Sequence, residues 1–145
     1  FTATGHSALL AVPSRGGAMV VASVNNQFEP GIMIHPGMLL PLPTSPAARL
    51  IYYFEGKKPK PVRVEDNLRR HGLDYEANPH GTGLGGVAAP IFEPDGLIAC
   101  SIGLILSSSL LMPAPEEALL DQVRHAALQL QNEYAEGAVS PLMPA

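Results

Sequence analysis

The sequence predicts an α+β domain, an antiparallel sheet with helices packed on it, on three observations. First, residues 7–12 (S-A-L-L-A-V) and 18–24 (A-M-V-V-A-S-V) are short apolar segments rich in strand formers. They flank Pro13-Ser14-Arg15-Gly16-Gly17, the residues of a tight turn, and so read as a β-hairpin. Second, residues 87–92 and 97–106 flank Glu93-Pro94-Asp95-Gly96, a strong turn, and read as another hairpin. Third, Leu119, Leu120, Val123, Ala126, Ala127, Leu130 and Tyr134 recur along one face of a helix over residues 115–134. Hairpins make antiparallel neighbours, and an apolar helix stripe needs a sheet face to cover.

The remaining elements follow in order. A third extended segment is expected at about residues 28–34, then a stretch dense in Pro36, Pro41, Pro43 and Pro46 that cannot be helix interior or central strand. Ser45 can cap a helix and Pro46 suits its first position; this helix should end by Gly56. Residues 57–61 (K-K-P-K-P) form a basic surface linker, since three lysines do not make a nucleic-acid stripe. Residues 62–71 read as a short helix with Gly72 as a left-handed cap, residues 73–77 as extended, and residues 81–86 as a glycine-rich loop. Pro115 at the start of the last helix, with Glu116 and Glu117 in its first turn, suits the helix dipole. The domain is expected over residues 1–136, with residues 137–145 a flexible tail.

Composition excludes several classes. An apolar fraction of 46% against 15% charged residues describes a folded chain with a real core. A net charge of -4 has the wrong sign for a surface that neutralises phosphates. The one cysteine, Cys100, rules out a disulfide framework and reads as a small buried hydrophobe. The nearly uncharged stretch 97–112 is too short for a membrane span and carries four serines. The chain starts at Phe1 without a signal pattern, so a fragment of something larger is expected.

Gly81-Thr82-Gly83-Leu84-Gly85-Gly86 satisfies G-x-G-x-x-G, but a strand follows it where dinucleotide binding needs a helix, so no cofactor is expected. The glycines still mean that backbone approaches something closely. His6, His35, His71, His80 and His125 form no metal-ligand spacing, and no G-x-S-x-G elbow is present. Glu29 and Glu76 are the two carboxylates placed as at a loop mouth. The positive feature is the entry to the first helix, residues 41–47, where unpaired N–H groups and the hydroxyls of Thr44 and Ser45 could meet an anionic ligand.

The run Val87-Ala88-Ala89-Pro90-Ile91-Phe92-Glu93-Pro94-Asp95-Gly96 resembles the A-A-P-[IV]-F-[DE]-x-x-G hairpin of the C-terminal domain of IclR-type transcription regulators. Upstream, residues 37–47 (G-M-L-L-P-L-P-T-S-P-A) are similar to that family's G-x-x-L-P-L-H-A-[ST]-A stretch, so the likeness spans almost the whole chain. It implies a GAF-like curved antiparallel sheet enclosing an effector pocket, in a homodimer or homotetramer. It also implies a preceding winged helix-turn-helix domain, absent from this chain, through which alone DNA would be bound. A cytoplasmic, non-catalytic sensor of a small organic effector follows from it, with no cofactor and no membrane partner.

By position, the resemblance places Ile32, Leu40, Thr44, Pro46, Ala47, Glu76, Gly86, Gly103 and Ile105 in the pocket. Pro43 and Pro46 replace the family's usual histidine and small residue, and Gly103 with Ile105 removes two hydroxyls. The pocket should therefore be more apolar than that of a small-acid sensor and take a larger or aromatic carboxylate. The stretch between Phe54 and Val62 is also much shorter than the family's usual helical insertion. Two other readings stand beside the sensor: an oligomerisation module without a ligand, and a small enzyme using Glu29 or Glu76 as a base.

Overall fold

The computed structural model describes residues 6–15, 17–25, 34–40, 45–57, 60–77 and 83–135. In chain order these form β1 (Ser7–Ser14), β2 (Gly17–Val24), α1 (Pro46–Phe54), α2 (Val64–His71), β3 (Asp74–Glu76), β4 (Leu84–Phe92), β5 (Ile98–Ser107), a 3-10 turn (Ser108–Leu111) and α3 (Glu117–Ala135). Among the described residues the strands make one sheet, in the order β2-β1-β5-β4-β3. Every neighbouring pair is antiparallel, and the two expected hairpins, β1–β2 and β4–β5, are both present.

Alternation along the strands sorts side chains onto two faces. Val87, Ile91, Leu104 and Leu106 point to the face covered by α3, where they pack with Leu120, Val123 and Leu111. Leu9, Ala11, Val20 and Ala88 point the other way, beneath Ala47, Ala48, Leu50 and Ile51 of α1. Leu50 and Ile51 are fully buried, and each contributes about 1.5–3 kcal/mol by that burial.

Local chemistry explains where the elements begin and end. The Ala48 N–H donates to the Ser45 side chain, Pro46 opens α1, and Gly56 follows its end with φ 71°. Gly72, also left-handed, ends α2 by donating its N–H to the Leu68 carbonyl. A bulge between Ile91 and Phe92 interrupts the β4–β5 ladder. There the Gln131 side chain substitutes for a strand, accepting from the Phe92 N–H at 2.7 Å and donating to its carbonyl at 2.8 Å, which fixes α3 to the sheet.

Several boundaries differ from the sequence reading. Gly85 and Gly86 belong to β4 rather than to a loop, because β5 on one side and β3 on the other both pair with them or their neighbours. The second helix starts at Val64, since Arg63 is left-handed (φ 70°) and cannot continue a helix backwards. Pro115 lies ahead of α3, which leaves Glu117 as its first-turn acid, while the Glu116 carbonyl accepts from the Leu119 and Leu120 N–H groups. Of the expected third extended segment only Ile34 is described, and it lies outside any strand. Residues 37–40 run along the outer edge of β2 instead, with Val20 N–H to Met38 O at 2.8 Å and Leu40 N–H to Ala18 O at 3.0 Å. Residues 137–145 lie outside the described residues.

Candidate functional site

The face beneath α1 carries small residues where the helix enters. A β-carbon on Gly86 would stand 3.0 Å from Pro46 Cδ, and one on Gly103 would stand 3.0 Å from the Val87 carbonyl and 3.2 Å from Ala88 Cβ. The Ser101 hydroxyl donates to the Ala47 carbonyl at 3.1 Å, so the first turn of α1 is bonded to the sheet as well as seated on it. Gly86 serves close approach of α1 to the sheet, whereas Gly103 makes room for the neighbouring strand β4.

Register then assembles the expected pocket residues. Glu76 pairs with Gly86, Gly86 with Ile105, and Ile105 with Ser7, giving one row across β3, β4, β5 and β1. The adjacent row on the same face is Asp74, Ala88, Gly103 and Leu9. Pro46 stands over Gly86, Ala47 is bonded to Ser101, and Leu40 joins the same apolar cluster from the β2 edge. Leu40, Pro46, Ala47, Glu76, Gly86, Gly103 and Ile105 thus share one face of the sheet. Ile32, Thr44 and Glu29 lie outside the described residues.

The strongest electrostatic feature escaped the sequence reading. Arg49 of α1 is 3% exposed and Asp74 is fully buried. The Arg49 Nη2 donates to Asp74 Oδ1 at 3.2 Å and to the Val62 carbonyl at 2.8 Å. Its Nε stands 3.1 Å from Asp74 Oδ2, an ion pair without hydrogen-bond alignment, and its Nη1 holds Glu76 Oε2. The Asn67 amide of α2 donates to Asp74 Oδ1 at 2.8 Å and to the Tyr75 carbonyl at 3.3 Å, capping the outer edge of β3. Burial pushes the Asp74 carboxyl up to about 6, against the pull of Arg49 and the Asn67 hydrogen bond. A signal was available: Arg49 is the lone charge in an otherwise apolar helix, and Asp74 stands between Leu73 and Tyr75, so each needed a partner.

Glu76 also borders a cavity of about 280 Å³ at the outer edge of β3, lined by Arg63, Asn67, Tyr75, Ala77 and residues 111–113. Among the described residues it is the one expected pocket residue that does so. Behind it, Gly85 is tightly enclosed: an added β-carbon would meet the Glu76 carbonyl and Leu111 Cδ1, both at 2.6 Å. Gly85→Ala is expected to cost about 1–3 kcal/mol by overpacking, measured as a lower urea midpoint at an unchanged slope.

Other candidates resolve more simply. Cys100 is fully buried, and burial pushes its thiol up to about 12, which makes it a packing residue. His125 is exposed on α3. Among the described residues no group of three or more His, Cys, Asp or Glu side chains could hold a metal ion, and no helix is long and apolar enough to cross a membrane.

No family model and no curated protein matches the sequence. Solved structures do match the fold. The transcriptional regulator YaiJ superposes with a TM-score of 0.69 at 18% identity, over 91% of this chain and 87% of that one. HmgR of Pseudomonas aeruginosa gives 0.72 at 17% identity, over 90% of this chain but only 60% of its own length. The C-terminal domain of the E. coli transcriptional regulator KdgR gives 0.68 at 12%, over 94% and 90%. IclR of Thermotoga maritima shares the fold too, and this chain spans 62% of it. The chain therefore has the α+β fold of the C-terminal domains of IclR-family transcriptional regulators.

Proposed function

We propose that this chain is the effector-sensing domain of an IclR-type transcriptional regulator, and that a small organic carboxylate binds on the sheet face beneath the N-terminus of α1. The observation that carries the reading is the convergence of Leu40, Pro46, Ala47, Glu76, Gly86, Gly103 and Ile105, far apart in sequence, on that one face. The N-terminus of α1 supplies the anion-binding element. Ser45 takes the Ala48 N–H with its side chain and the Arg49 N–H with its carbonyl, while Pro46 has no N–H. Among the described residues Ala47 is thus the first-turn donor without an acceptor, and it would meet a ligand carboxylate. Leu40 and Ile105 add apolar surface beside it, which favours an aromatic or larger aliphatic body.

The effector would stabilise one arrangement of α1 against the sheet, and a DNA-binding domain outside this chain would report the change. A tenfold change in operator affinity requires about 1.4 kcal/mol of coupling. The domain would act without catalysis, in the cytoplasm, as part of a homodimer or homotetramer. The enzyme reading keeps only Glu76 among the described residues, and there the carboxylate is engaged by Arg49.

A thermal-shift series of the chain against aromatic and aliphatic carboxylates tests this. A ligand at about 100 times its dissociation constant adds about 2.7 kcal/mol of stability. A dose-dependent rise with aromatic acids supports the sensor; a flat response to every acid favours an oligomerisation module. Ile105→Ser, which puts a hydroxyl into the row beside Gly86, is expected to raise the response to acetate-sized acids and lower that to aromatic ones. An unchanged ranking would remove Ile105 from the site.

A further inference from the structure

The cavity at the edge of β3 is built differently from the face beneath α1. Its charged lining groups come from separate elements, Arg63 from the residue before α2 and Glu76 from the end of β3. Arg63 is exposed, and no acceptor among the described residues holds its guanidinium. Glu76 gives Oε2 to Arg49 and keeps Oε1 without a partner among the described residues. Leu111, Met112 and Pro113 supply an apolar wall, with Leu111 buried and Met112 48% exposed. Arg63 is also the one non-glycine residue with positive φ among those described, a backbone state that costs roughly 1–2 kcal/mol for a side chain bearing a β-carbon.

Charge decides the ligand class. The groups in and behind the cavity are Arg49 and Arg63 against Asp74 and Glu76, two of each sign. A ligand with net charge would leave one group uncompensated, whereas a dipolar one meets an opposite charge at each end. The volume, about 280 Å³, falls just below the ~300–1,000 Å³ of sites for drug-sized ligands and suits a single amino acid.

We propose that this cavity binds a small apolar α-amino acid as its zwitterion. Arg63 takes the carboxylate, Glu76 Oε1 takes the ammonium, and the side chain lies against Leu111, Met112 and Pro113. The site lies apart from the carboxylate site beneath α1 and shares only Glu76 with it.

The test is a methyl-resolved NMR titration of the intact chain with L-leucine, isocaproate (which lacks the ammonium) and isoamylamine (which lacks the carboxylate). L-leucine is expected to shift the Met112, Leu111 and Ala77 methyls, and each analogue to bind roughly tenfold more weakly or worse. Arg63→Gly removes the guanidinium while relieving the left-handed backbone, so the variant folds and loses L-leucine binding by the same factor. Unmoved methyls at millimolar L-leucine, equal binding of either analogue, or undiminished binding to Arg63→Gly would overturn the proposal. So would shifts confined to Leu40 and Ile105. Aromatic acids acting beneath α1 bear on the other site alone.

Discussion

Replacing Arg49 with methionine is expected to destabilise the domain by about 3–5 kcal/mol, the usual result of removing one partner from a buried ion pair. Methionine keeps the hydrophobic volume but leaves Asp74, fully buried, without its cation, and frees Glu76 and the Val62 carbonyl of their donor. Arg49→Lys should recover little. One ammonium cannot present a planar fork to Asp74, Glu76 and a backbone carbonyl together. The loss is therefore attributed to the stranded charge rather than to lost packing, and a second variant separates the two. In Arg49→Met/Asp74→Leu no charge is stranded on Asp74, and much of the stability should return. Urea unfolding followed by far-ultraviolet circular dichroism reads both. A double variant as unstable as the single one would mean that the guanidinium acts through its packing.

This network also shows where sequence reasoning reached and where it stopped. Hairpins, the capped start of α1 and the stripe of α3 are local patterns, fixed by residues a few positions apart, and they appear as expected. The family likeness named positions one at a time, and strand register then put Glu76, Gly86 and Ile105 in a single row. Contacts between distant segments were not legible. Arg49 and Asp74 are 25 positions apart, and nothing local says that α1 will cross the end of β3. The same limit misplaced Gly85 and Gly86. Glycines before a strand read as a loop, and only the approach of Pro46 from one side and Leu111 from the other explains why a strand there must lack β-carbons. The β3-edge cavity depends on residues 63, 76 and 111–113 coming together, which no pattern in the sequence encodes.

The second large effect is a pH dependence whose sign can be fixed in advance. Asp74 holds its proton up to about 6 in the folded chain, against an unfolded carboxyl near 3.9. A group that binds its proton more tightly when folded favours folding at low pH. Its contribution is fully present below about pH 4 and is lost as pH rises through 6. Two units correspond to about 3 kcal/mol. The other carboxylates titrate over the same range, so the contribution is read as a difference from Asp74→Asn, which cannot titrate. Relative to that variant, the wild-type chain should lose stability between pH 4 and 6. A relative gain over that interval would mean that Arg49 outweighs burial and keeps Asp74 ionised. The two predictions are linked: once Arg49 is gone, only protonation relieves Asp74, so Arg49→Met should be better tolerated at pH 5 than at pH 7. An Arg49→Met penalty that does not vary with pH would place its cause outside the Asp74 charge.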